Sequence, residues 1–272
     1  MSSLLTAAAL VVPLLALSLL LLAAWTAHWG ATLEERAASM PGDDYFGEPG
    51  APFVGLTRAV SIQAPPETVW PWLAQCGRGA GWYSVDRLDN GGRSSARHVV
   101  SWIPPPRLGD ATAVGYLKRI AEPGGLTWWA PGVRFLGAEA RLAVDVALRS
   151  EGRGSRLVIR MSADAKGLMA RPALLAFRLI DGVMARRQLL GLREPIEAGS
   201  ARAAASREAE TGARDQYQLY EVLFASGESA GMPGREHAAR WRRAAVAEGV
   251  LAANGSARPG VPARSTARKG RA

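Results

Sequence analysis

The sequence predicts an α+β domain in which an antiparallel sheet packs against one long helix. Two periodic patterns carry this prediction. Between residues 139 and 149 apolar and polar residues alternate, which is typical of a strand with one buried face. Between residues 173 and 184 apolar residues recur at helical spacing. The elements follow the order strand, two short helices, several strands and a closing helix, which favours helices and strands that segregate into layers.

The strongest strand prediction is a hairpin. Its first strand places five apolar residues on one face: Ala140, Leu142, Val144, Val146 and Leu148. A Gly-rich turn at residues 151–154 follows, and Leu157, Ile159 and Met161 continue the alternation on the partner strand. Weaker patterns predict strands at residues 115–120 and 126–129.

The first strand is expected from Leu56 to Ile62, because larger residues fall on alternate positions before two prolines stop the strand. A helix opens at residues 67–70, and a second short helix is expected at residues 83–88. The closing helix is expected to begin at Pro172. Its polar side is assigned to Arg178, Asp181 and Gln188.

The N-terminal segment predicts a membrane anchor. No charged side chain occurs between Leu4 and Trp25, and at about 1.5 Å per residue that stretch can cross a hydrocarbon core of about 30 Å. Trp25, His28 and Trp29 are typical of an interfacial belt. A cleaved signal peptide is the alternative, but it normally has a basic start and a shorter apolar run. Arg36 favours a cytoplasmic location for the rest of the chain.

The chain therefore divides into five predicted segments. These are a transmembrane anchor (1–29), a spacer rich in Gly, Pro, Asp and Glu (30–54), the globular domain (55–197), an extension with room for two short helices at residues 217–224 and 237–251 (198–253), and a basic disordered tail (254–272).

Composition argues against two large classes of function. The net charge is +9, but the chain from Gly249 onward carries five basic residues and no acidic one, so the body is only mildly basic and no nucleic-acid partner is expected. One cysteine and three widely separated histidines supply no recognisable set of metal ligands. We therefore expect neither a metal nor a cofactor.

A G-x-S-x-G pattern at residues 227–231 is interpreted as a loop, because the sheet and the acidic partner of a hydrolase elbow are missing.

Four segments resemble one family. Residues 64–75 (APPETVWPWLAQ) resemble the start of the SRPBCC superfamily, the START-like or polyketide-cyclase-like proteins. Residues 81–90 (GWYSVDRLDN), 107–110 (RLGD) and 183–192 (VMARRQLLGL) are similar to segments of a bacterial subgroup with an N-terminal membrane helix. The resemblance implies a helix-grip fold, in which a curved antiparallel sheet encloses an apolar cavity against the closing helix.

Six of the nine tryptophans lie between residues 70 and 129, where large rings could line such a cavity. Trp70 and Trp72 are assigned to the core. The expected ligand-binding residues are Trp82, Tyr83, Asp86, Trp102, Trp128, Trp129 and Arg187. Core packing is the alternative for the aromatic residues, and an orientation towards solvent is the alternative for Arg187.

Three functions remain open at this point. The leading hypothesis is a membrane-anchored binding module that takes an apolar small molecule or a lipid. The second is an enzyme of the cyclase or dehydratase type that acts in the same cavity and uses Asp86 or Tyr83 as acid or base. The third is an interaction protein with a closed pocket, whose basic tail binds acidic lipid. A buried carboxylate with a shifted pKa would favour the enzyme over a purely apolar binding site.

Overall fold

The computed structural model describes residues 11–47 except 12, 15, 16, 19 and 23, residues 53–199, and residues 240, 243, 246 and 247. Several predictions lie outside these residues: the start of the anchor, the helix at 217–224, most of the helix at 237–251, the G-x-S-x-G loop and the basic tail. The described positions between 11 and 27 are helical. No helix within the described parts of the chain is both long and apolar enough to cross a membrane.

Within the described residues, six strands form one antiparallel sheet in the order β1-β6-β5-β4-β3-β2. The strands are β1 (Phe53–Ile62), β2 (Ala111–Thr112), β3 (Gly115–Ala121), β4 (Gly125–Phe135), β5 (Ala138–Glu151) and β6 (Gly154–Lys166). The helices are α1 (Leu33–Ala37), a 3₁₀ turn (Pro41–Tyr45), α2 (Pro66–Gln75), α3 (Asp86–Asp89) and α4 (Ala170–Ala198). A six-stranded antiparallel sheet with a long C-terminal helix is the predicted α+β arrangement, and it fits a helix-grip fold.

The predicted hairpin has the expected register, since Val144 pairs with Met161 and Val146 pairs with Ile159. Two boundaries differ from the prediction. The second short helix begins only at Asp86, because Tyr83 has a φ of 61°, which is incompatible with a right-handed helix. The closing helix begins at Ala170, so Pro172 lies within its first turn, where a missing N–H costs nothing.

The two faces of the sheet are covered by different parts of the chain. Helices α2 and α4 cover one face, called here the inner face, and its core includes Val60, Ile159 and Leu189. The opposite, outer face is covered by residues 29–46, called here the N-terminal strap. The strap begins at the edge of the sheet, where the Ala59 N–H donates to the Trp29 carbonyl at 3.1 Å.

The sequence of residues 30–54 predicts a spacer, and the structure corrects this prediction for the part of the segment that it describes. Glu35 of α1 is 4% exposed. Its Oε1 accepts from Arg149 Nη2 at 2.5 Å and from Arg156 Nε at 2.8 Å, and its Oε2 accepts from Arg156 Nη2 at 2.8 Å. Acidic residues that look like a polar linker are thus the partners of arginines on the outer face of β5 and β6.

A third arginine extends the same contact. Arg160 of β6 donates to the Glu35 carbonyl at 2.9 Å, to the Ala38 carbonyl at 2.7 Å and to Asp43 Oδ2 at 2.6 Å. Charge-assisted bonds of this kind are stronger than neutral ones. The strap is therefore fixed to the sheet by several oriented contacts.

We predict that Glu35→Gln lowers the free energy of unfolding by about 2–3 kcal/mol, because two arginines lose a buried carboxylate partner. Glu34→Gln is the matched control, since Glu34 is the neighbouring residue and is exposed. Urea denaturation of both variants measures the effect. Equal stabilities for the two variants would contradict a structural role for the strap.

The same contact predicts a pH dependence. The Arg156 guanidinium hydrogen-bonded to Glu35 lowers the pKa of that carboxyl from 4.5 to about 2. A carboxyl whose pKa is lower in the folded state than in the unfolded state contributes its full stabilisation at pH values above the unfolded pKa. This contribution is lost as the pH falls from 4.5 to about 2. The difference in melting temperature between wild type and Glu35→Gln should therefore shrink across that range, whereas a constant difference would contradict the assignment.

Candidate ligand-binding cavity

A cavity of about 180 Å³ lies between the inner face of the sheet and α4. Most of its lining is aromatic or aliphatic, and four lining side chains are polar. The apolar residues are Trp82, Ala113, Val114, Phe135, Val144, Met161, Phe177, Ile180, Met184 and Ala185, and the polar residues are Ser84, Asp89, Asp181 and Gln188. The arrangement is that of a small-molecule site, where apolar walls surround a few polar groups.

Regular periodicity brings these residues together. Along α4, Phe177, Asp181 and Met184 are spaced by four and three residues, so they lie on one side of the helix. Across the sheet, Val144 and Met161 are directly paired on β5 and β6 and share the inner face. The cavity is therefore bounded by rigid elements on two sides.

Trp82 closes one wall and depends on a glycine. Gly77 has a φ of 70°, and a Cβ at this position would overlap the Trp82 indole. The Trp82 ring also meets the Trp128 ring edge-on at 6.2 Å between centroids. Trp128 is 2% exposed, and its Nε1 has no hydrogen-bond partner among the described residues.

One polar region of the cavity surrounds Asp89. Its Oδ1 is buried and has no hydrogen-bond partner within the described chain. Burial raises the pKa of the Asp89 carboxyl, the neighbouring Ser84 hydroxyl opposes this shift, and the charge of Asp86 adds to it. Nearby, Ser84 Oγ donates to the Met184 carbonyl at 3.0 Å, and Gln188 Nε2 lies 3.5 Å from the buried sulfur of Cys76.

The other polar region is an ion pair. Asp181 Oδ2 accepts from Arg58 Nη1, and Arg58 is completely buried. Arg58 Nε also donates to the Thr26 carbonyl at 2.8 Å. Burial raises the pKa of the Asp181 carboxyl, and the Arg58 guanidinium opposes that shift. The pair joins β1, α4 and the end of the N-terminal helix.

The structure places the predicted site residues differently. Trp82 lines the cavity, and Trp128 packs behind Trp82. Trp102 is half-buried and packs against the main core. Trp129 lies on the outer face, where its ring meets those of Tyr45 and Phe46 at 5.0 and 5.5 Å. Adjacent residues of a strand face opposite sides, so Trp128 and Trp129 of β4 cannot line one cavity.

The polar residues of the prediction also lie elsewhere. The Tyr83 hydroxyl accepts from Gln75 Nε2 at 2.5 Å, and burial raises the pKa of Tyr83. Asp86 accepts from the Ser95 hydroxyl at 2.6 Å and so fixes a loop. Arg187 is exposed, as expected from the alternative of a solvent-facing orientation.

Asp181 and Gln188 were assigned to the polar side of the closing helix, and this assignment is wrong because both line the cavity. A signal for Asp181 was available in β1. Arg58 alternates with Leu56, Val60 and Ile62, so the strand pattern directs this cation towards the core. A buried arginine requires a carboxylate, and Asp181 supplies it. No comparable pattern indicates Asp89.

A second, more open groove of about 570 Å³ lies beside β1 and the strap. Its charged lining residues include Arg160, Asp43 and Asp164. Arg160 pairs with Asp43, and Arg141 pairs with Asp164. These charges satisfy one another, so the groove is a weaker candidate than the apolar cavity.

Comparison with known proteins gives no family assignment. No family model matches the chain, and no curated protein matches it. Among solved structures, Ara h 8.0201 shares 12% identity at a TM-score of 0.35 and covers 54% of this chain and 100% of its own. CalU16 from Micromonospora echinospora shares 17% identity at a TM-score of 0.27, covering 54% and 85%. An AHSA1-like protein from Rhizobium etli shares 17% identity at a TM-score of 0.30, covering 54% and 83%.

We predict that Asp181→Asn lowers the free energy of unfolding by about 3–5 kcal/mol, because the buried Arg58 cation loses its counter-ion. Arg171→Ala, at an exposed position of the same helix, is the control and should change stability by less than about 1 kcal/mol. Urea denaturation measures both variants. If Asp181→Asn were as stable as the control, the ion pair would not fix α4 to the sheet.

Proposed function

We propose that this protein is a membrane-anchored binding module for an apolar small molecule or a lipid, which it holds in the cavity beneath α4. The observation that carries the proposal is the cavity itself. Its walls combine aromatic rings from three parts of the chain, Trp82, Phe135 and Phe177, with aliphatic side chains of the sheet. Burial of apolar ligand surface against such walls is favourable by about 25 cal/mol per Å².

The volume of the cavity limits the size of the ligand. Ligand pockets commonly measure about 300–1,000 Å³, and this cavity of about 180 Å³ is smaller. It suits a compact apolar molecule, or one end of a longer molecule whose remainder leaves the cavity beside Ile180, which is 49% exposed.

The anchor rests on the sequence from Leu4 to Trp25 and on two structural observations. Leu14, Leu20 and Leu21 are 57–62% exposed, so their helix does not bury them against the domain. At the other end, the Arg186 guanidinium lies 5.8 Å from the Trp25 ring and 5.2 Å from the Trp29 ring. Tryptophans at the end of an apolar helix are typical of a membrane interface. We place the domain on the cytoplasmic side.

An enzyme of the cyclase or dehydratase type is the second candidate, and Asp89 is the observation that favours it. Its carboxyl lines the cavity and has a raised pKa, which suits a general acid or base. Mass spectrometry of material extracted from the natively purified protein separates the two functions. An unchanged apolar compound supports binding, whereas turnover that Asp89→Asn abolishes supports catalysis.

The cavity can be tested with two tryptophans that are equally buried but lie on opposite faces of the sheet. Trp82 is 7% exposed and lines the cavity, whereas Trp129 is 5% exposed and lies under the strap. Trp82→Ala should weaken the binding of 2-naphthol by about 1–3 kcal/mol. Trp129→Ala should leave affinity unchanged, although either variant can cost about 3–5 kcal/mol of stability.

Affinity is measured by titration calorimetry of the full chain in nanodiscs, with empty nanodiscs subtracted, and melting temperature is measured on the same samples. If both variants melted early and bound 2-naphthol like wild type, Trp82 would be a core residue only. If Trp129→Ala alone weakened binding, the ligand would lie on the outer face.

The anchor is tested by removing residues 1–23, which keeps the Thr26 carbonyl that Arg58 requires. The truncated chain should become soluble in cell fractionation and keep the circular dichroism of a folded domain, because the described core lies beyond the cut. The full chain should stay in the membrane pellet after alkaline extraction. Release of the full chain by that treatment would contradict a transmembrane anchor.

A further inference from the structure

The charged groups that line the cavity are all carboxylates, so they offer hydrogen-bond acceptors and negative charge. Asp89 and Asp181 are carboxylates, and no Lys, Arg or His is found among the described residues that line the cavity. Two of the neutral polar groups already have partners, since Ser84 Oγ donates to the Met184 carbonyl and Gln188 Nε2 lies 3.5 Å from Cys76 Sγ. The charged groups that a ligand meets at the wall are therefore carboxylates.

Asp89 is the group best placed to bind a ligand donor. Its Oδ1 is buried yet has no partner in the part of the chain that the structure describes. A buried acceptor without a partner is unfavourable, and a hydrogen bond from a ligand N–H or O–H would remove this penalty. Burial raises the pKa of the Asp89 carboxyl, and the Ser84 hydroxyl and nearby backbone N–H groups only partly oppose this shift.

Asp181 adds an acceptor but little net charge. Its Oδ2 is held by Arg58, so the pair is close to neutral. Arg58 lies behind Asp181, is fully buried and is not part of the cavity wall. Two of its donors are engaged by Asp181 and the Thr26 carbonyl. The unbalanced charge at the wall is therefore the negative charge of Asp89.

We propose that the cavity selects an apolar ligand whose polar end is a hydrogen-bond donor, an amine or a hydroxyl, and rejects ligands that end in a carboxylate. This inference rests on the proposed function and names its ligand class. A carboxylate beside Asp89 would face like charge in a site of low dielectric, where such repulsion is large. An ammonium group or a hydroxyl would instead donate a hydrogen bond to Asp89 Oδ1, which has no partner among the described residues.

The test uses three ligands that share one bicyclic aromatic ring and differ only in the polar group: 2-naphthylmethylamine, 2-naphthol and 2-naphthoate. Each is titrated near neutral pH into the full chain in nanodiscs of zwitterionic lipid, with empty nanodiscs subtracted. The amine and the naphthol should each bind at least about tenfold more tightly than the naphthoate. Naphthoate binding as tight as either would overturn the selectivity and leave the apolar cavity standing, whereas no binding of any ligand would overturn the proposed function.

The Asp89→Asn variant tests whether Asp89 causes the selectivity. The variant removes the charge and keeps the shape, so the preference for the amine over the naphthoate should fall by about tenfold while 2-naphthol still binds. Glu194→Gln, which makes the same charge change on the exposed side of α4, should keep the wild-type preference. Asp89→Glu keeps the charge and should keep the sign of the preference. An unchanged preference in Asp89→Asn, with 2-naphthol binding intact, would overturn the role of Asp89.

Discussion

The buried cation of Arg58 constrains much of this structure. An isolated guanidinium in a protein core is unfavourable by several kcal/mol, so it must be surrounded by acceptors. Asp181 and the Thr26 carbonyl accept from Nη1 and Nε, whereas Nη2 has no partner among the described residues. These two acceptors come from α4 and from the end of the N-terminal helix. Neither element can shift along the sheet without breaking this contact. The ion pair therefore ties α4 to the sheet beside the cavity.

The strap explains why so small a domain buries both faces of its sheet. In β5 the inner residues Val144 and Val146 face the core, while Ala143 and Asp145 face the strap, and all four are buried. Asp145 accepts from the Gly42 N–H at 3.0 Å and from the Thr127 hydroxyl at 2.7 Å, and burial raises its pKa to about 6. The outer face is thus a second, polar interior built on arginine and carboxylate pairs.

The sequence predicts the scaffold well and the site less well, for a physical reason. Alternation and helical spacing report which face of an element is apolar, and these patterns give the β5–β6 hairpin and α4 in their observed places. They do not report polar groups that are buried because a distant partner satisfies them. Asp181 looks like a surface residue until Arg58 is considered, and the acidic strap looks like a linker until Arg156 is considered. Trp129 shows a different limit of sequence patterns. Its aromatic side chain predicts burial, but the pattern does not show that the burial is on the outer face, beneath the strap.

Helix α4 lines the cavity and also contacts the N-terminal helix. The residues that make these two contacts lie on different sides of one helical turn. Asp181 and Ala185 face the cavity. Gly182 faces Thr26 so closely that any side chain there would overlap it, and Arg186 lies over the tryptophan rings. Residues 181 and 182 are about 100° apart around a helix of 3.6 residues per turn, so a single turn presents both surfaces. The cavity wall and the contact with the N-terminal helix are therefore separated by little more than the width of α4, and a ligand that moved α4 would have to move that contact with it.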